Sequence, residues 1–277
     1  MRLAFSNIAW DVLEDESVAQ LLAMRAIDAI DVAPSKYFSD PNSVSDSDIL
    51  MVKSWWAKRG VEITGMQALL FGTQGLNVFG PAPVQTEMLR HLDAICRIGG
   101  GLGATRLVFG SPKNRDRTGL SDREVLDVSI PFFQRLGNIA QAYGVIVCLE
   151  PNPPCYGANF MTNSAETAEV VMLTAHASIK MQLDIGALDI NGEDADVVLK
   201  TYADLIGHIH ASERDLVPLG DSGVDHKTMR EAIERYLPTH VISIEMLATK
   251  NEPHLVAIDR ALEVAIKGYR SAIGVRQ

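Results

Sequence analysis

The chain alternates short apolar runs with longer amphipathic segments from one end to the other. Runs of this length that are rich in Val, Ile and Leu are typical of strands buried on both faces of a parallel sheet. Eight segments have this pattern, in chain order RLAFSNIAW, AIDAIDVAP, EITGMQALLFG, TRLVFGSP, VIVCLEPN, IKMQLDIGA, LIGHIHASE and VISIEML. We therefore predict eight strands.

The segments between the strands place apolar residues at intervals of three and four, which predicts helices. The clearest are DREVLDVSIPFFQRLGNIAQAYG, SAETAEVVMLTA, HKTMREAIERYL and PHLVAIDRALEVAIKGYRSAI. Ser121 and Asn163 stand just before two of them, with acidic residues in the first turn, as helix N-caps do. The glycine-rich segment GGGLGA (residues 99–104) follows a helix and precedes a strand, so it indicates a helix C-cap and turn.

Strands that alternate with about eight helices, without a low-complexity linker or a shift in composition, predict an α/β fold. At this length the leading prediction is a single (β/α)₈ TIM-barrel domain over residues 1–277. An open, doubly wound sheet is the alternative. Such a sheet would normally carry a glycine fingerprint for phosphate after an early strand, and GGGLGA stands on the wrong side of its helix for that role.

Charge and composition limit the classes of molecule that the protein could bind and the compartment in which it works. The formal net charge of −10 argues against a protein that mainly binds nucleic acid or an anionic membrane, and it favours a small-molecule partner. Cys96, Cys148 and Cys155 are odd in number and lack CxxC spacing, so no disulfide framework is expected. No export signal or span of roughly 20 apolar residues is visible. We expect a cytoplasmic protein, and a homo-oligomer remains open.

Four residues of metal-ligand type stand at the ends of the last four predicted strands, where a barrel builds its functional site. They are Glu150, Asp184, His210 and Glu245. Three ionised carboxylates side by side would repel one another until one took up a proton, and a cation removes that difficulty. Their donor set suits Mn²⁺, Mg²⁺ or Co²⁺ and, less comfortably, Zn²⁺. Taken singly, each residue could instead be satisfied by the backbone or by a loop arginine.

The order Glu, Asp, His, Glu within the motifs LEPNP, QLDIG, GHIHASE and SIEM resembles the xylose-isomerase-like TIM barrels. More specifically, it is similar to the sugar phosphate isomerase/epimerase group that includes ketose 3-epimerases. The resemblance implies that Glu150, Asp184, His210 and Glu245 bind one divalent metal ion. It also implies that Glu150 and Glu245 form a catalytic pair, one removing a proton beside a carbonyl and the other returning it through a metal-stabilised enediolate.

The sequence departs from this family at two positions. In the ketohexose 3-epimerases a histidine lies three residues beyond the strand-six aspartate, where this chain has Ala187. An acid lies six residues beyond the strand-five glutamate, where this chain has Tyr156. In that family these two residues bind hydroxyls of the substrate and not the metal. We therefore expect the metal chemistry to be kept, whereas a preference for a free ketohexose is in question.

Five further polar residues are candidates for substrate contacts: Gln67, Lys113, Asn152, His208 and Arg214. His208 shares a strand face with His210, which favours a contact with a metal-ligating residue or with the substrate over a role as a core histidine. Lys113 and Arg214 follow strands four and seven, where they could hold a phosphate or carboxylate, although loop cations are often only solvated. Asn152 could orient a hydroxyl, and Gln67 could line the pocket or pack in the barrel.

The leading functional hypothesis is a metal-dependent isomerase or epimerase that acts on a sugar, a sugar phosphate or a related keto-polyol. A metal-dependent dehydratase of a keto-polyol is the closest alternative, because both reactions begin with the same proton abstraction. A phosphodiester hydrolase like endonuclease IV shares the barrel, but it needs several more histidines at strand ends and must accept a polyanion. A barrel kept only as a scaffold or sensor also remains open.

Overall fold

The computed structural model describes residues 1–270. Within this range eight parallel strands are hydrogen-bonded in chain order into a closed barrel. The strands are β1 (Leu3–Ser6), β2 (Ala29–Val32), β3 (Glu62–Met66), β4 (Arg106–Phe109), β5 (Ile146–Leu149), β6 (Ile179–Asp184), β7 (Ile206–Ala211) and β8 (Ile242–Ile244). The predicted (β/α)₈ barrel is confirmed, and the open sheet is excluded.

Helices surround the strands and connect each strand to the next. In residues 1–270 they are α1 (Asp15–Met24), α2 (Asp46–Ala57), α3 (Ala82–Leu102), α4 (Asp122–Ala142), α5 (Ser164–Thr174), α6 (Ile185–Asn191), α7 (Ala195–Tyr202), α8 (His226–Tyr236) and α9 (His254–Tyr269). Two of them, α6 and α7, share the connection between β6 and β7. The last three residues of the final predicted helix, 271–273, lie outside the described residues.

The barrel closes where β1 pairs with β8. Leu3 lies opposite Ile242, and Phe5 lies opposite Ile244. Within the described residues, closure leaves no edge of the sheet unpaired, and because all eight strands are parallel, their C-terminal ends meet at one mouth. The geometry therefore collects the residues that end β5 to β8 at one place.

The predicted caps are present. The Ser121 hydroxyl accepts the backbone N–H of Glu124 at the start of α4, and the Asn163 side chain caps α5 in the same way. The segment GGGLGA ends α3, with Gly103 in the left-handed conformation (φ +88°) that a side chain would resist. Local signals thus identified the helix ends.

The third predicted strand was too long. The apolar run EITGMQALLFG continues to residue 72, but β3 ends at Met66. Ala68 adopts a left-handed conformation (φ +53°), which breaks the extended backbone. The apolar residues that follow therefore belong to a loop at the barrel mouth, not to the sheet.

The core lies both between sheet and helices and inside the barrel. Apolar strand residues such as Leu3, Phe5 and Ile30 are fully buried. Buried polar residues also occur on the strands, among them Asp31 and His208, which hydrogen-bond across the barrel from β2 and β7. The interior beneath the mouth therefore contains polar groups. Groups in this position can orient the side chains that bind a metal at the mouth.

All three cysteines are free thiols, as expected from their spacing; Cys96 and Cys148 are buried, and Cys155 is exposed. Burial raises the pKa of the Cys148 thiol to about 12, so it behaves as an inert core residue. Over residues 1–270, no helix combines the length and the apolar character that crossing a bilayer requires.

Candidate metal centre

Four side chains of metal-ligand type converge at the barrel mouth. Asp184 is the last residue of β6, His210 lies near the end of β7, and Glu150 and Glu245 directly follow β5 and β8. One ligand atom from each lies within 4.8 Å of all the others. His210 Nδ1 is 3.2 Å from Glu245 Oε2 and 3.6 Å from Glu150 Oε1. The structure thus brings together the four residues that the sequence suggested.

Asp184 is held by the start of α6 and by the loop after β7. Its Oδ1 accepts the backbone N–H of Ala187 at 2.7 Å, and its Oδ2 accepts the Ser212 hydroxyl at 2.7 Å. The hydroxyl oxygen of Ser212 in turn accepts the N–H of Gly186. These bonds fix the carboxylate plane while each oxygen keeps a lone pair for a further partner.

The two glutamates are each oriented by a side-chain amide. Gln67 Nε2 donates to Glu245 Oε1 at 2.6 Å, and Asn152 Nδ2 donates to Glu150 Oε2 at 3.1 Å. In both glutamates the other carboxylate oxygen is the one that faces His210. The amides therefore leave one oxygen of each glutamate directed at the shared centre.

His210 is oriented from below by a buried acid. Asp31 Oδ2 accepts His208 Nε2 at 2.6 Å and lies 3.8 Å from His210 Nε2. The Thr64 hydroxyl donates to the other oxygen of Asp31 at 3.1 Å. A neutral His210 with its proton on Nε2, toward Asp31, presents the lone pair of Nδ1 to the centre.

Asp31, His208 and His210 form a second group of ligand types. However, the 2.6 Å hydrogen bond between Asp31 and His208 leaves no space for an ion between those two atoms. His208, at 3% exposure, does not line the cavity above the centre. The structure thus places His208 beneath the centre, where it supports the acid that faces His210.

The centre carries more negative charge than it can hold without protons or a cation. Burial, together with Glu150 and Glu245, raises the pKa of Asp184 to about 7. Burial opposes the charged form of His210, but Glu245, Asp31 and Glu150 together outweigh burial and raise the pKa of the imidazole well above its usual value. Three facing carboxylates and one imidazole nitrogen thus fit a divalent cation, which would replace those protons.

We expect metal binding to release protons. The raised pKa values of Asp184 and His210 mean that both hold protons near neutral pH, and both must lose them to bind a cation. The affinity for Mn²⁺ should therefore fall as the pH is lowered through 7, by up to about tenfold per pH unit for each displaced proton. Calorimetric titrations in buffers of different ionisation enthalpy measure the protons released; an affinity independent of pH would contradict this account.

Gly110, the residue after β4, gives the Glu150 carboxylate its space. A Cβ at this position would lie 1.9 Å from Glu150 Oε2. Gly110 does not have a left-handed backbone conformation, so Gly110→Ala adds no backbone strain. Its effect comes only from the clash between the new methyl group and the Glu150 carboxylate. We expect this variant to fold and to bind Mn²⁺ about 10- to 100-fold more weakly, as for other changes that misorient a ligand.

The measurement is a Mn²⁺ titration of Gly110→Ala beside Gly268→Ala. In the latter, the added methyl lies in α9 and comes 3.2 Å from His226 Cβ, a tight contact that a shift of a few tenths of an ångström relieves. Equal metal affinities in the two variants would show that the position of Glu150 does not matter for binding.

A cavity of about 750 Å³ opens above the centre, with Glu150, Asp184 and Glu245 at its base. Among the candidate substrate contacts, it is lined by Gln67, Lys113 and Asn152. Arg214 is exposed in the loop after β7 and lies outside this lining, so its anion-binding role stays a prediction.

Ala187 and Tyr156 also line the cavity. These are the two positions at which the sequence departs from the ketohexose 3-epimerases. Ala187 is buried against the base, whereas Tyr156 is partly exposed. The departures thus change the wall that a substrate would meet.

Sequence reasoning missed two buried charged residues near the centre. Asp31 stands in the apolar run AIDAIDVAP, so the argument applied to Glu150 would have identified it. Arg115, at 1% exposure, donates from Nη1 to the backbone carbonyl of Glu150 at 2.8 Å. Burial lowers its pKa to about 10, which still leaves a cation beside the acidic centre. Its segment NRDR resembles a solvated loop, so no local signal marks it.

Solved structures similar in fold include D-psicose 3-epimerase from Clostridium cellulolyticum H10 with D-tagatose, at 16% identity and TM-score 0.77, covering 96% of this chain and 97% of that one. A 3-keto-D-glucoside 4-epimerase from E. coli is 14% identical, with TM-score 0.76 and coverage of 94% and 98%. The IolI protein with a bound zinc atom is 17% identical, with TM-score 0.74 and coverage of 98% and 100%. At such identities the likeness shows the fold alone.

A search of curated protein sequences finds no match to the chain. The family model described as the xylose isomerase-like TIM barrel matches residues 19–267. This range takes in the whole strand-end cluster from Glu150 to Glu245. The chain belongs to the xylose isomerase-like TIM barrel family.

Proposed function

We propose that the protein is a divalent-metal-dependent isomerase or epimerase that acts on a sugar or a related keto-polyol. The observation that carries the proposal is the convergence of Glu150 and Glu245 on one centre with Asp184 and His210, at the base of a cavity of about 750 Å³. The similar structures named as ketose and keto-glucoside epimerases support the same class of reaction.

Glu150, Asp184, His210 and Glu245 are the proposed ligands of one ion, Mn²⁺, Mg²⁺ or Co²⁺ before Zn²⁺, because three of the four donors are carboxylates. When bound, the cation would polarise a substrate carbonyl and the adjacent hydroxyl, acidify the C–H bond between them and stabilise the enediolate that deprotonation produces. The zinc in the IolI structure shows that a relative of this fold accepts a divalent ion.

The two glutamates are the proposed acid–base pair. They directly follow β5 and β8, so they reach the centre from different sides of the barrel mouth. One carboxylate removes the proton beside the carbonyl, and the other returns a proton on the opposite face. Asn152 and Gln67 each hold one oxygen of a glutamate, which keeps its other oxygen directed toward the centre.

The charge of the chain and the composition of the centre favour a sugar over a polynucleotide. The formal net charge is −10, and His210 is the one imidazole in the four-residue cluster. A trinuclear hydrolase of the endonuclease IV type would need further histidines at this mouth. The described centre does not offer them, so we favour the carbonyl chemistry.

The test is product analysis with Mn²⁺-loaded protein and a panel of D-fructose, D-psicose, D-tagatose and methyl 3-keto-β-D-glucoside. We expect at least one of these to give a product of unchanged mass with one carbon inverted or isomerised. A product lighter by one water would assign a dehydratase instead. No turnover of any keto sugar by protein with a full complement of metal would contradict the proposal.

A further inference from the structure

The outer wall of the cavity is largely apolar. Leu70, Phe71, Pro153, Leu216 and Leu247 all line it. Phe71 is 74% exposed and Leu247 is 51% exposed, so two large apolar side chains are presented to solvent at the rim of the metal site. Such exposure next to a polar centre marks a surface that a ligand covers.

Four polar side chains of the outer wall already make hydrogen bonds within the protein. Lys36 and Lys113 each donate to a backbone carbonyl. The Ser111 hydroxyl donates to a neighbouring loop asparagine, and the Tyr156 hydroxyl accepts the N–H of Asp215. A phosphate at this end would have to draw the two lysines away from their carbonyls, whereas an apolar group would leave these bonds intact.

The backbone is strained where it presents this wall. Ala68, Asp215 and Leu216 line the cavity and adopt left-handed conformations, with φ of +53°, +58° and +52°. This conformation is unfavourable for residues with a Cβ, and for a bulky leucine it is rare. Strain of this kind persists only where the surrounding structure enforces it, and at Leu216 it occurs in a residue that lines the cavity.

We propose that the substrate is a keto sugar that carries an apolar substituent, an aryl or alkyl aglycone, on the end away from the metal centre. This inference rests on the proposed function and adds the substrate class. A cavity of about 750 Å³ lies in the range that holds drug-sized ligands, and a single hexose leaves much of it empty. Phe71, Leu216 and Leu247 form the surface that covers the aglycone.

The test compares two probes, methyl and phenyl 3-keto-β-D-glucoside, by calorimetric titration of the Mn²⁺-loaded protein. Burial of the phenyl ring should make the phenyl compound bind roughly 10- to 100-fold more tightly. Equal affinities for the two probes, or tighter binding of a phosphorylated ketose than of the phenyl compound, would overturn the proposal.

The variants Phe71→Ala and Leu247→Ala should each reduce the phenyl-to-methyl preference to within about threefold. Leu173→Ala is the matched control, because Leu173 on α5 is 48% exposed, close to the 51% of Leu247, and lies outside the cavity lining. Its preference should match that of the wild type. An equal loss of preference in Leu173→Ala and Leu247→Ala would contradict a specific aglycone surface.

Turnover separates this proposal from the broader one. Isomerisation of the methyl compound with no gain in affinity for the phenyl compound would refute the apolar substituent and leave the proposed function standing. Preferred binding of the phenyl compound, without turnover of any keto sugar, would support the aglycone surface and refute the isomerase. A dimer that buries Phe71 and Leu247 and excludes both probes would assign this rim to a second copy of the chain.

Discussion

Exhaustive removal of divalent ions should lower the rate of the reaction at least about 10³-fold, since the cation supplies several kcal/mol of stabilisation to the charge that develops on the substrate oxygens. Adding Mn²⁺ or Co²⁺ should restore the rate. Without an ion, Asp184 and His210 hold protons near neutral pH, and the centre lacks the doubly charged cation to which we assign the polarisation of the carbonyl.

The measurement is initial rate against metal content, with metal determined by elemental analysis of the same samples. Asp184→Asn supplies a second line of evidence, because it keeps the shape of the side chain and removes one of the three anionic ligands. Its affinity for Mn²⁺ should be markedly lower than that of Asp189→Asn, a change within α6, the helix that Asp184 caps, and outside the four-residue centre. Undiminished activity in protein shown to be free of metal would exclude the proposed chemistry.

Glu150→Gln and Glu245→Gln should each lower kcat by about 10²- to 10⁴-fold, the usual contribution of a general acid or base. Glutamine keeps the length of the side chain but cannot take up the proton. Glu169→Gln, an exposed change on α5, is the matched control and should leave kcat unaltered.

Both glutamates are also proposed ligands, so each variant needs a metal titration. A lower kcat at saturating Mn²⁺, with one ion bound, assigns the residue to proton transfer. If raising the Mn²⁺ concentration restores the full rate, the residue acts in metal binding and not as acid or base. Wild-type rates in both variants would remove the pair from the mechanism.

The fold was predictable because the signals that specify it are patterns among residues close together in the sequence. The alternation of buried strands and amphipathic helices sets the class, and caps such as Ser121 set helix ends. The meeting of four residues of metal-ligand type at one mouth was predictable for a related reason. A carboxylate or imidazole that follows an apolar strand, as Glu150 follows β5, stands out against its neighbours, and barrel topology then brings such strand ends to one mouth.

The remaining features depend on contacts between residues far apart in sequence. Arg115 looks like a loop cation until its bond to the carbonyl of Glu150 shows that it is buried. His208 shares a strand face with His210, but its partner, Asp31, is 177 positions away along the chain. Leu216 lines the cavity through a left-handed backbone that no sequence rule assigns to leucine.

The central claim is that carboxylates exchange a proton with the substrate carbon. The direct measurement is the reaction of the Mn²⁺-loaded wild-type protein in D₂O with the keto sugar that it converts, followed by NMR and mass spectrometry. The account predicts one solvent deuterium at the carbon that is inverted or isomerised, because Glu150 or Glu245 returns a proton drawn from solvent. A product that retains the original hydrogen and contains no solvent deuterium would instead indicate a hydride shift and contradict the assignment of the two glutamates.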